Sequence, residues 1–263
     1  NPETFDLALY ALERNPSPLA VEALMVALPS ANPMQKVALI HSLGARKAEG
    51  AVAHLTPLAG DADANVAEAA IHALAEIPTN EAAESLLRAK AAAPPQLQTT
   101  AGLSLLKVAE RYRASGEKKK AANLLAELYA PTEPPGVRLA AFKSVVAMLG
   151  ENAAPLIVDR LKSGDNGIRS VAIESIPELP GAAATQAIAS SLPEMAPEIQ
   201  AAVIAALASR GDKAALPAVI AAASSADESV RTAALRALSA LGDASTVPVL
   251  ATAAAERQGS EQE

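Results

Sequence analysis

A repeat constrains this chain more than any other feature. From Val230 in DESVRTAALRALSALG, steps of 31 residues land on Ile199, Ile168 and Val137, one step of 40 reaches Leu97, and steps of 31 resume through Val66 and Gln35 to Thr4. Self-similarity at such a period marks stacked supersecondary units. Eight residues after these anchors stand Leu12, Leu43, Leu74, Leu105, Val145, Ile176, Leu207 and Leu238, all aliphatic. One position earlier stand Ala11, Ser42, Ala73, Ser104, Ser144, Ser175, Ala206 and Ala237, all small. Positions +3 and +4 are mostly Ala, Val or Leu, which places an i, i+4, i+8 apolar face on one helix per repeat.

Punctuation agrees with this register. Three residues before the anchor lie Asn1, Asn32, Asp63, Asp165 and Asp227, whose side chains suit an N-cap. One residue later come Pro2, Pro33, Pro95, Pro135 and Pro197, suited to the first helical position, where a missing N–H costs nothing. Gly44, Pro78, Gly150, Pro180, Gly211 and Gly242 are the expected stops. A second helix of about three turns is predicted in each repeat, as in NAAPLIVDRL, AALPAVIAAA and STVPVLATAA. Neither helix can bury its apolar face alone, and stacking neighbours solves that. The expected fold is therefore all-α, a right-handed α-solenoid of eight two-helix repeats. One array is expected over 1–258, with a longer irregular unit at 97–136 and a polar tail at 259–263. The chain has five aromatic residues, so its core must be thin layers of Ala, Leu, Ile and Val.

The outer-helix prolines Pro155, Pro217 and Pro248, each followed by aliphatics, and the openings Asp165/Ile168/Arg169 and Asp227/Val230/Arg231 resemble HEAT repeats. They are similar to the short bacterial kind also seen in phycobilin-lyase-like proteins. The resemblance covers essentially the whole chain. It implies that those Asp and Arg positions form a structural ladder linking neighbouring repeats. It also implies a non-catalytic protein–protein interaction scaffold, a module of a larger bacterial protein. An accessory subunit of a bilin lyase-type cofactor-attachment enzyme is the alternative. The Leu- and Ala-rich N-terminal helix makes a poor polar cap for an array, so an end-to-end contact or a preceding segment is expected there.

Two surfaces are candidates for a protein partner. The extra nine residues of the 40-residue interval fall around Lys107–Ala122, which holds six of the 22 Lys and Arg residues in a chain of net charge −7. A lengthened helix, about 13 Å longer at 1.5 Å per residue, would carry Lys107, Arg111, Tyr112 and Arg113 as a basic finger. Lys118, Lys119 and Lys120 would open the returning helix. The second surface is the +6 column, Tyr10, His41, His72, Leu103, Lys143, Glu174, Ala205 and Arg236, whose chemical diversity suits an exposed, concave inner-helix face. The acidic balance and the absence of Trp argue against nucleic acid. No run of about 18 uninterrupted apolar residues suggests membrane insertion. No cofactor or metal is expected: there is no Cys, no His is followed by Glu as in HEAT-type di-iron hydroxylases, and no phosphate-binding Gly loop occurs.

Overall fold

The computed structural model describes residues 2–259 and the side chains of residues 4–255. Asn1 as an N-cap and residues 260–263 of the polar tail lie outside the described residues. Eight helix pairs follow one another and no strand occurs among the described residues. They are α1 (Pro2–Arg14) with α2 (Pro18–Ala27), α3 (Pro33–Ala45) with α4 (Val52–Leu58), and α5 (Ala64–Glu76) with α6 (Asn80–Ala92). Next come α7 (Pro95–Ala114) with α8 (Lys118–Leu128), α9 (Pro135–Leu149) with α10 (Ala154–Leu161), and α11 (Asn166–Ser175) with α12 (Ala182–Ser190). The last are α13 (Pro197–Arg210) with α14 (Leu216–Ala222) and α15 (Glu228–Leu241) with α16 (Val247–Gly259). This is the all-α solenoid architecture that the period predicts. Two compact units, Asn1–Ala141 and Phe142–Glu263, divide within α9.

The helix starts follow their chemistry. Asn32 forms a capping box with Gln35, and Asp63, Asp165 and Asp227 accept backbone N–H groups at the heads of α5, α11 and α15. All five prolines of the −2 column are first helical residues. The +4 column is buried in every first helix except α1, where Ala8 is exposed. At +8, six of eight residues are buried, while Leu12 and Val145 are half-buried. In α9 the buried residue is instead Val146, next to the fully buried Phe142.

The small +7 column does let backbones approach. A Cβ built on Gly44 of α3 would lie 2.9 Å from Cα of Ala73 in α5, so the two helices are nearly in backbone contact. Gly44 therefore does not stop α3, which continues to Ala45; it is a packing glycine. Across the next interface, a Cβ on Gly102 would meet Val137 Cγ2 at 2.6 Å. The second helices are often shorter than expected. α4 and α14 have seven residues each, and 3-10 turns at Glu49–Ala51 and Lys213–Ala215 lead into them. The expected Asp–Arg ladder is also local. Arg169 donates to Ser163 O (2.7 Å) and Arg231 to Ser225 O (2.7 Å), each bracing the turn before its own helix.

Within the 27-residue run Pro135–Leu161 an 18-residue window reaches a mean hydropathy of 1.3, enough by length and composition for a membrane crossing. Gly150, at φ 57°, and a 3-10 turn over Gly150–Ala153 divide it into α9 and α10, whose Phe142, Val146, Ile157 and Leu161 are core residues.

Candidate functional site

The lengthened helix exists: α7 has 20 residues where α3 and α5 have 13. The gain is seven residues, about 10 Å of rise, and Gly116 at φ 84° turns the chain back into α8. The basic side chains do not stand clear of the protein. Lys107 Nζ pairs with Glu76 at 3.0 Å, and Arg111 Nη1 donates to Ala75 O at 2.6 Å. Arg113 pairs with Glu110, and Lys120 with Glu117. Asn80 Oδ1, at the head of α6, accepts from Tyr112 Oη (3.2 Å) and Lys120 Nζ (3.1 Å), and the ammonium sits 5.2 Å from the Tyr112 ring centroid.

The ionisation equilibria follow this pairing. Bonding to Arg113 holds Glu110 below the usual carboxylate value, and bonding to Lys120 does the same for Glu117. Their basic partners are raised in turn. Burial pushes Arg111 down, with Tyr112 and Glu76 opposing. Lys118 and Lys119 are exposed in the first turn of α8.

The +6 column is exposed in each first helix except at His72, which is half-buried. Within the first compact unit Tyr10 is 56% exposed, with the Arg14 guanidinium 4.8 Å above its ring, and Leu103 is 43% exposed. Three α5–α7 pairs run beside this column: Glu68 with Thr100 (3.4 Å), His72 Nδ1 with Ser104 Oγ (3.3 Å), and Glu76 with Lys107. His41 is exposed one repeat earlier. No group of three or more His, Asp or Glu that could hold a metal occurs among the described residues. In the second unit, Ala205 and Arg236 share a groove of about 830 Å³ between α13 and α15, bounded at the head of α15 by Asp227 and Glu228. Lys143 and Glu174 of the same column are exposed.

Sequence reasoning missed a set of arginine clamps. Arg46, just after α3, donates to Leu12 O (3.0 Å) and Glu13 O (2.8 Å), two of the last carbonyls of α1. Arg111 does this for α5. Arg210, ending α13, donates to Ile176 O (3.1 Å), Leu179 O and Gly181 O (2.9 Å) of the preceding repeat. A helix C-terminus leaves carbonyls unsatisfied and carries partial negative charge, and a cationic donor from the next repeat answers both. The available signal was faint: Arg46 and Arg210 both stand eleven residues after their anchors.

No curated protein matches the chain. Among solved structures, human deoxyhypusine hydroxylase in complex with glycerol aligns at 22% identity over 89% of this chain and 88% of that one, with a TM-score of 0.39. Escherichia coli YibA aligns at 16% identity over 93% and 88%, with a TM-score of 0.48. A designed armadillo repeat protein in complex with a (KR)4 peptide aligns at 21% identity over 89% and 98%, with a TM-score of 0.30. At these scores the three carry no functional inference. The family model described as HEAT repeats matches residues 21–107 and 183–262, more than half of the chain. With its eight helix pairs in register, the chain belongs to the HEAT-repeat family.

Proposed function

We propose that this chain is a non-catalytic scaffold that presents the +6 column of its first helices to a protein partner. The observation that carries this reading is the contrast between columns: +4 and +8 are aliphatic or small and buried in most first helices, while +6 is chemically varied and exposed in all of them but α5. Packing dictates the first two and leaves the third free for recognition. The groove holding Ala205 and Arg236 adds a recess, with a cation at one end and carboxylates at the other. The basic segment is the lesser candidate, because Lys107, Arg111, Tyr112, Arg113 and Lys120 already have partners inside the chain. Lys118 and Lys119 are what it offers. No observation favours cofactor attachment.

The test places a photoreactive phenylalanine analogue at Leu103 or Ala205, and at the exposed second-helix positions Ala53 and Ala221 as controls, in cells that normally make the protein. Adducts with one defined protein from Leu103 or Ala205, and none from the controls, are expected. Adducts from the controls alone, or from no position, would overturn the reading.

A further inference from the structure

Arg88 of α6 is a cation held in place without an anion. Glu84, four residues earlier on the same helix, stands where an i, i+4 ion pair would form. The guanidinium turns instead to Ser85 Oγ (3.0 Å), and no carboxylate among the described residues pairs with it. Ser85 is 2% exposed and lies 3.0 Å from Thr56 Oγ1 of α4, whose hydroxyl donates to Val52 O (2.8 Å). In the other repeats of unaltered length the position of Thr56 holds Met25, Leu87, Val158, Ala189, Ile220 and Ala251, all apolar. The hydroxyl pair is thus a local departure from an apolar column, and what it does is anchor the guanidinium.

Arg88, Ser85 and Thr56 line a recess of about 540 Å³ between α4, α6 and the turns that lead into α5 and α7. It lies wholly within the first compact unit. Pro57, Ala59, Ala67, Ala89, Ala92 and Leu97 give it apolar walls. Asp61, the one carboxylate in the lining, accepts the Asp63 N–H (2.9 Å) and faces Lys36 at 4.0 Å, so its charge is answered. The charge left over is that of Arg88. Mostly apolar walls with a few convergent polar groups suit a small molecule, and a guanidinium fork matches a carboxylate through two parallel hydrogen bonds. A peptide would bring N–H and C=O groups that each need a partner. Ser85, Thr56 and Asp61 are already engaged, which leaves Gln96 to meet them, whereas an aliphatic acid brings its carboxylate alone.

We propose that this recess binds a free aliphatic monocarboxylate, its carboxylate held by Arg88 and its chain laid against the alanine and proline walls. No residue of the +6 column lines the recess. The proposal therefore goes beyond the scaffold reading and stands or falls apart from it.

The test is calorimetric titration of the whole chain with octanoate, for which one saturable site with a Kd of about 1 mM or tighter is expected. Octanamide, the neutral isostere, should bind weaker by about tenfold or more. Arg88→Met keeps the apolar stem at an exposed position and should weaken octanoate to the same degree. Ala92→Phe, also at an exposed position, fills the recess without touching the charge and should weaken octanoate and octanamide alike. Circular dichroism of both variants should match the natural chain. Octanoate bound as tightly by either variant as by the natural chain would overturn the proposal, as would no saturable binding up to about 10 mM. Saturable binding of an acetylated tripeptide ending in a free leucine carboxylate, with none of octanoate, would give the recess to a peptide end and overturn it too.

Discussion

Arg210 is the clamp whose loss should be felt most. Its side chain is 8% exposed, and it donates to the carbonyls of Ile176, Leu179 and Gly181 and to Thr185 Oγ1. Arg210→Ala removes all of these donors. Charged hydrogen bonds contribute about 1.5–3 kcal/mol each when a single one is deleted. Water can reach the vacated space from the edge of the interface and re-bond part of what is lost. Allowing about 1 kcal/mol for each of three carbonyls, Arg210→Ala should cost roughly 3 kcal/mol. Arg210→Met, which keeps the apolar stem, should cost only slightly less. Arg210→Lys retains the charge but cannot reach three divergent acceptors, and about half of the loss should remain. Urea denaturation followed by circular dichroism reads these values, and amide exchange should show faster opening at the end of α11. A loss under about 0.5 kcal/mol for Arg210→Met would refute the clamp, because packing alone would then explain the site.

Further outcomes follow from the same geometry. Leu74 and Leu207 are fully buried, and truncating either to Ala should cost about 2–5 kcal/mol in chemical denaturation. Lys118→Glu and Lys119→Glu should each raise the melting temperature by about 1 °C, because they replace a cation that opposes the α8 dipole; the gain should shrink in high salt. The Asp212 carboxylate accepts from the Thr185 hydroxyl (2.7 Å) and the Ala214 N–H (3.0 Å), which hold it below its ordinary 3.8 against partial desolvation, with Arg210 adding a smaller pull. A depressed carboxylate contributes stability that is complete above its unfolded value and vanishes as pH falls through the folded one. Thermal scans below about pH 4 should therefore show a steeper loss for the natural chain than for Asp212→Asn.

Much of the fold was legible in the sequence because its determinants are local. A 3.6-residue period places +4 and +8 on one face wherever the helix goes, Asp63 and Asp165 accept N–H groups within their own first turn, and Pro197 needs no N–H partner at the first helical position. The lengthened α7 was legible too, since the break in period could be counted. What its basic residues do was not: whether Lys107 is a free charge or a partner for Glu76 depends on which side chain lies opposite across the α5–α7 gap.

By itself, then, the sequence determined the class of fold, the number of repeats, their caps and their buried columns. Tertiary structure alone decided that Arg46, Arg111 and Arg210 clamp the preceding helix ends and that Gly44 is a contact rather than a stop. Helical periodicity is written in neighbouring residues. The partner across an interface about 31 residues away is set by helix tilt, separation and rotamer, which no local pattern encodes.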